Sequence, residues 1–552
     1  MRMPRGLCKS RRNSGGTGVC GELQSLGQRL VAASFPHPVV ESRLIETHIS
    51  WVILTGPWAY KVKKPIRLEF LDYSTPDLRE QCCERELELN RRWAPQIYQG
   101  LVPIFQLAAR SDGTARSDGM EGGLRVGVAG EQAGAEERLV DHAVRMRQFP
   151  QAALLSERLA AGEISAEQTA TLGAELAELH RRLPVVPYDS ELVQRGSLQP
   201  ALASLTYLLE DASLGDEDRN ELERVQAWLR DEIRRLAGLL ESRAARGLVR
   251  EYHGDLHLGN VLFWEGRFQL FDGIEFNDAF RQIDGWNEIA FLAMELSEHG
   301  FKPHSRRLID AYAEAAGDYE GLALLRFFLV HRAMVRAMVD RIRQRQTLVA
   351  AQGDAPEQPM NNLSEVAKQY LRYAVQVIRP LPPELWITHG LSGSGKSTEA
   401  LRLVESRGYL RIRSDVQRKR LAGLSPLERG RAADERELYS PEMTARTYSH
   451  LQALAEQVLR AGWGVVLDAT FLVRAQRLPF RLLARELGVP ACVLVCHAAS
   501  EELERRLLTR TGDPSDATPA VLRLQLFNVE PPEPDEGFRI VDQAELDTAA
   551  AR

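Results

Sequence analysis

The chain has 552 residues, with 70 Lys plus Arg against 76 Asp plus Glu and a formal net charge of -6. At ~150 residues per domain this length predicts three or four compact units. Apolar residues at 44% and charged residues at 26% exclude a collagen-like, disulfide-scaffold or wholly disordered chain. A balance so near neutrality argues against a general nucleic-acid binder. No stretch approaches the roughly 18 uncharged apolar residues of a membrane-spanning helix. The six cysteines (Cys8, Cys20, Cys82, Cys83, Cys492 and Cys496) lack metal-ligand spacing and read as the reduced thiols of a cytoplasmic protein.

In chain order, residues 1–38 read as a disordered basic tail without the apolar run of a secretory signal. Short β-rich runs at Ile49–Leu54 and Ala59–Val62 flank a Thr55-Gly56-Pro57 turn, and a charged helix over Thr75–Trp93 ends before Pro95. The Gly-, Ala- and Ser-rich span of about 108–137 reads as a flexible hairpin insertion. Ala143–Phe149 reads as a strand, and Ser165–Arg246 as largely helical. Strand and loop character returns over Val249–Ile274, and helices follow to about Arg345. A polar linker over about 350–362 precedes a last helix near Leu363–Val377. Pro380, Pro382 and Pro383 then mark the main boundary, giving domains at 39–380 and 381–552. Beyond it, strands at Leu385–His389, Tyr409–Arg413, Gly464–Leu467 and Ala491–His497 alternate with helices, as in a parallel sheet covered on both faces. The expected fold class is therefore mixed, α+β followed by α/β.

Four separated pieces of the first domain suggest one chemistry. Tyr252-His-Gly-Asp255-Leu-His-Leu-Gly-Asn260 fits H-x-D-x-x-x-x-N, in which the Asp receives a substrate hydroxyl proton and the Asn binds Mg2+. Phe271-Asp272-Gly273 supplies a second metal-bridging carboxylate. Ala59-Tyr60-Lys61 ends a strand as a phosphate-binding lysine does, and Glu86 on the next helix can pair with it. Lys63 shares the strand face, so the choice between the two lysines stays open. These motifs resemble the aminoglycoside phosphotransferase-like family over roughly residues 40–345, which implies a bilobal protein-kinase-like fold. Asp284 then reads as a brace of the catalytic loop. The chain lacks a clear G-x-G-x-x-G and an A-P-E segment, which counts against protein substrates. His331, Arg332 and Arg336 share one helix and read as internal ion-pair partners.

The second domain carries a contiguous motif, Gly390-Leu-Ser392-Gly393-Ser394-Gly395-Lys396-Ser397, followed by Thr398 at the opening of a helix. This G-x-x-x-x-G-K-S between strand and helix cradles phosphates on backbone N–H groups, with Lys396 on the phosphates and Ser397 on Mg2+. Asp415 and Asp468 end two strands, where ligands of such sheets bind. Asp415 is expected as the base and Asp468 as a metal carboxylate, although the reverse assignment stays open. Arg505 and Arg506 are candidates to close over the transferring phosphate. Seven basic residues between 411 and 431 read as a solvated helix face, with an anionic substrate as the alternative. This half resembles small P-loop kinases related to zeta toxins, gluconate kinase and polynucleotide kinase, from Leu385 onward. That likeness implies ATP and Mg2+ as cofactors and favours Asp415 as base.

The order of the two domains resembles a bacterial family of bifunctional proteins. The expectation is two ATP-dependent phosphotransferase sites acting on hydroxyls of small molecules, with no membrane partner. The alternatives are a nucleotide-gated regulator whose first domain only binds a ligand, and a nucleic-acid end kinase. The second is disfavoured because no aromatic stacking platform accompanies the basic charge.

Overall fold

A computed structural model describes residues 26–47, 49–68, 71–108, 123–189, 191–211, 213–352, 363–426, 428, 437–509, 515, 518–543 and 545–546. The chain forms two compact units. One comprises residues 1–160 and 259–280, the other residues 161–258 and 281–552. Residues 26–38 of the expected disordered tail instead pack on the first unit: a helical stretch there buries Leu30 and Ala33 in its core, with Leu26 and Phe35 beside them, because apolar residues recur along it. Residues 1–25 lie outside the described residues, as does all of the expected linker at 350–362 except 350–352, which belong to a helix.

The first unit is built on an antiparallel sheet. Strands β1 (Arg43–Glu46), β2 (Ser50–Leu54) and β3 (Trp58–Lys63) form a meander, and β3 then pairs with β6 (Glu137–Arg147). Strand β6 pairs onward with β4 (Tyr98–Leu107), and β4 with β5 (Leu124–Val126). Strands β5 and β6 thus claim residues from the end of the span expected to be a loose insertion, while 109–122 lie outside the described residues. Helix α1 (Pro76–Asn90) starts where the Thr75 side chain accepts from Leu78 N–H, with Pro76 in its first turn. Its buried positions Arg79, Cys83, Glu86 and Asn90 recur at spacings of four, three and four. They make one polar-bearing face, whose functional groups reach the sheet. The core combines Trp51, Ile53, Tyr60, Val62, Val102 and Ile104.

The second unit joins a helical region to a parallel sheet. Helix α2 (Ala166–Arg181) opens with a reciprocal Ser165–Gln168 capping box. It crosses α5 (Lys302–Ala316) so closely at Gly173 that a Cβ there would sit 2.5 Å from the Leu308 carbonyl oxygen. Helices α3 (Asp216–Ala245), α4 (Gly285–Glu298), α6 (Leu322–Gln352) and α7 (Glu365–Val377) complete this region. The sheet has five strands in the order β8-β9-β7-β10-β11, all parallel. They are β7 (Leu385–His389), β8 (Leu410–Arg413), β9 (Val465–Asp468), β10 (Ala491–Val495) and β11 (Arg539–Asp542). Four were expected; β11 was missed because Arg539-Ile-Val-Asp is short and follows a Pro-rich stretch. Helices α8 (Lys396–Arg407), α9 (Ser414–Leu421), α10 (Pro441–Arg460), α11 (Arg474–Glu486), α12 (Ser500–Thr509) and α13 (Pro519–Phe527) alternate with the strands. No helix among the described residues is long and apolar enough to cross a membrane.

Candidate functional site

In the first unit, Lys61 and Lys63 project from β3 toward Glu86 on α1. Lys61 Nζ donates to Glu86 Oε1 at 2.8 Å and also to Asp272, while Lys63 bonds Glu86 Oε2 and Glu275. Both lysines therefore pair with the glutamate that sequence offered to one of them. Lys63 and Glu86 are fully buried. Burial works against the charged form of Lys61, but Asp272 and Glu86 outweigh it and raise its pKa well above the ordinary value. Glu86 is likewise held below its usual range, its burial overcome by the two lysines. Glu275 went unnoticed in the sequence because it belongs to no spaced pattern. It also accepts from the Tyr73 hydroxyl at 2.7 Å.

Asp272 has a left-handed backbone, φ 62°, uncommon for a residue with a side chain. Its surroundings enforce that shape. Its N–H donates to the Tyr98 hydroxyl at 2.9 Å, and Asn90 Oδ1 accepts from the next N–H, Gly273, at 2.7 Å. Strain fixed by neighbours in this way is common at functional positions. Asn260 is buried in the same unit, with its carbonyl accepting from Phe271 N–H at 3.1 Å.

Asp255 lies in the second unit, with His257 Nε2 3.5 Å from its carboxylate. Desolvation would raise its pKa, but His257, His253 and Arg336 more than offset that and hold it well below the carboxylate range. Two residues brace its loop: Glu288, which the sequence did not single out, and Arg332, which it read as an internal ion-pair partner. Buried Glu288 accepts from the N–H groups of His253 and Gly254, each at 3.1 Å. Arg332 donates to the Gly254 carbonyl at 3.2 Å and to Asn287 Oδ1 at 2.8 Å. Burial pushes the Glu288 carboxyl up to about 7. Arg336 pairs with Glu295 at 2.9 Å, and Asp284 caps α4 while accepting from buried Arg243 at 2.7 Å. Both are structural contacts, as the sequence suggested.

The phosphate-loop motif spans the turn from β7 into α8. A Cβ at Gly390 would lie 2.4 Å from the Cys496 carbonyl oxygen, and φ there is 151°, so only glycine fits. Lys396 Nζ donates to the Leu391 carbonyl at 2.7 Å, and Ser392 N–H to Gln525 Oε1 at 2.9 Å. A cleft of about 610 Å³ opens here, the size of a small-molecule site. Its wall includes Ser392, Gly393, Gly395, Lys396, Ser397 and Thr398, together with Asp468 at the end of β9 and Asp415, which was expected at a strand end but lies in the first turn of α9 just past β8. Gly390 and Ser394 support the loop from behind the wall.

Asp468 is buried and its Oδ2 has no hydrogen-bond partner. An orphaned carboxylate oxygen in a phosphate-loop cleft with Ser397 fits a hard cation. No group of three or more His, Cys, Asp or Glu side chains is gathered as a metal cage among the described residues.

The arginines divide differently from expectation. Arg506 lines the cleft and donates to the Gly393 carbonyl at 3.1 Å. Arg505 is not part of the wall, and Glu502 pairs with both guanidiniums, at 2.7 Å from Arg505 and 2.6 Å from Arg506. The basic run after β8 is no solvated face: Arg411, Arg418 and Lys419 are buried. Arg418 lines the cleft, stacks 5.0 Å from the Tyr439 ring centre, and bonds the neutral Leu438 carbonyl and Thr444 hydroxyl. Its Nε has no partner. Arg429 and Arg431 lie outside the described residues.

Two stretches of the chain match family models. Residues 128–328 match the model of the phosphotransferase enzyme family, and residues 385–532 match an AAA domain. An uncharacterized protein of Mycobacterium tuberculosis is 28% identical over 489 residues, covering 87% of this chain and 89% of its own. A sugar kinase from Janibacter sp. is 22% identical, with a TM-score of 0.24, over 31% of this chain and 94% of its own. A choline/ethanolamine kinase family protein from Mesorhizobium loti is 14% identical, with a TM-score of 0.33, over 64% of this chain and 98% of its own. The chain thus carries in series a stretch similar to the phosphotransferase enzyme family and a stretch similar to AAA domains.

Proposed function

We propose that the chain is a bifunctional ATP-dependent phosphotransferase, with each domain transferring the γ-phosphate to a hydroxyl of a small molecule. One observation carries the reading: a complete phosphate-loop motif shares its cleft with the carboxylates of Asp415 and Asp468. In that domain Lys396 and the loop N–H groups bind the phosphates, and Asp415 accepts the proton of the attacking hydroxyl. Ser397 and Asp468 would hold Mg2+, which when bound supplies charge neutralisation on the phosphates. Arg506 offsets charge that develops on the transferring group. In the first domain Asp255 orients the acceptor hydroxyl. Its depressed pKa supports a carboxylate ionised throughout the neutral range. Lys61, steadied by Glu86, takes the phosphates, while Asn260 and Asp272 would hold metal. Catalysis in both is positioning plus electrostatics, without a covalent intermediate.

Arg418 favours an anionic acceptor in the second domain. A buried guanidinium in the cleft with only neutral hydrogen-bond partners is costly unless a ligand brings negative charge.

The test is ATP turnover by wild type, Asp255→Ala and Lys396→Ala, with and without a pooled library of hydroxyl metabolites. Two kinases require library-stimulated transfer lost separately in each variant, with mass shifts naming the acceptors. If only Lys396→Ala matters and no metabolite gains phosphate, the first domain is a binding module and the chain a nucleotide-gated regulator.

A further inference from the structure

Strand β8 is an edge strand, and its outer side meets helix α5 of the phosphotransferase-like domain. Arg411 N–H donates to Asp310 Oδ1 at 2.7 Å, so a carboxylate stands where a neighbouring strand's carbonyl would. Two residues on, Arg413 grips Glu314 with both arms of its guanidinium: Nε donates to Oε2 at 2.7 Å and Nη2 to Oε1. Arg420 on α9 adds a bond to the Glu314 carbonyl. The spacing suits the contact. Four residues of helix rise roughly 6 Å and two residues of strand roughly 6.6 Å, so Asp310 and Glu314 match positions 411 and 413.

Arg413 is also part of the cleft wall, alongside Asp415 and Asp468. It lies near enough to Asp468 to feel that charge, and Asp468 has an oxygen without a partner. Glu314 is the carboxylate that occupies both arms of Arg413 instead.

We propose that Glu314, from the first domain, is a positioning residue for the phosphate-loop site: it holds Arg413 in the cleft wall and keeps its guanidinium off Asp468. The inference rests on the reading of that cleft as a nucleotide–metal site. Without Glu314, Arg413 can turn along the shared wall to Asp468, whose Oδ2 has no partner, and compete with the cation for it. The second domain's site is therefore finished by a side chain about a hundred residues upstream of it.

The experiment measures Mn2+, standing in for Mg2+, binding to the full chain with ADP by electron paramagnetic resonance. Only the component that Lys396→Ala removes is scored. Glu314→Gln is expected to weaken that component about tenfold, the scale of one competing charge pair. Adding Arg413→Gln to Glu314→Gln should restore it, because the competitor is then gone. Glu314→Asp, which keeps the charge, should fall between wild type and Glu314→Gln and serves if the latter misfolds. Arg326→Gln is the docking control. It removes the bond to the Gly462 carbonyl (2.6 Å) and the stacking on Trp463 (4.4 Å) without touching the cleft wall. Equal Mn2+ affinity in wild type and Glu314→Gln overturns the inference. So does an unrescued double variant, or an equal loss in Arg326→Gln, which would mean loosened docking. If wild type shows no Lys396-dependent component at all, the reading of the cleft fails and this inference falls with it.

Discussion

The two candidate lysines are held by different parts of the chain. Lys61 is enclosed by carboxylates, sharing Glu86 with a second lysine and also bonding Asp272. Lys396 bonds a backbone carbonyl of its own loop. The first is a tertiary device, made of side chains 25 and 211 residues away from the lysine. The second is a local device, made by one strand-to-helix turn. The difference teaches that two sites expected to perform the same chemistry should respond differently when a charge is removed. One should lose fold and function together, the other function alone.

The sharpest way to break that comparison is Lys396→Ala. Nucleotide turnover by the P-loop domain should fall by about 10³-fold or more. The urea midpoint should move less than it does when a charge is taken from the buried Lys61–Glu86–Lys63 group, because the Lys396 side chain bonds a carbonyl of its own loop. A large drop in midpoint would show that the loop lysine is structural as well. Next comes Glu86→Gln, which leaves two buried ammonium groups short of a charge and should destabilise the chain by about 3 kcal/mol in urea unfolding. A neutral outcome would mean that Asp272 and Glu275 suffice for both lysines.

Arg506→Ala should lower P-loop turnover by about 10-fold to 100-fold, whereas Arg505→Ala should leave steady-state kinetics unchanged. Equal effects would return Arg505 to the site. The mildest effect is on pH. The Glu288 carboxyl has its pKa raised in the fold from 4.5 to about 7. Its contribution to stability is complete below about 4.5 and is lost as pH rises through about 7. Calorimetric melting of Glu288→Gln should therefore gain on wild type progressively from pH 4.5 to 7. A constant difference would place the titration elsewhere.

What the sequence revealed follows the same local-versus-tertiary line. The phosphate loop, Asp415 and Asp468 were legible because contiguous residues and strand ends dictate their geometry. Lys61, Glu86 and Asp272 were legible only as members of a spaced set, and the sharing of Glu86 by Lys63 was not. Glu275, Glu288 and Glu314 were invisible: each is a lone carboxylate whose role comes from what packs against it. The basic run misled because its helix is covered on the side that periodicity alone assigns to water. Strand β11 escaped for the opposite reason, being too short to show a period.

The edge of the sheet at β8 bears on how this protein can be divided. Its outer rim of backbone donors finds an acceptor in Asp310, so a fragment beginning at Pro382 would present a bare strand rim to other copies of itself. Such rims invite strand-to-strand aggregation. A cut at the apparent domain boundary therefore severs the cover from what it protects, and any shuffling or truncation that separates the halves must first replace helix α5.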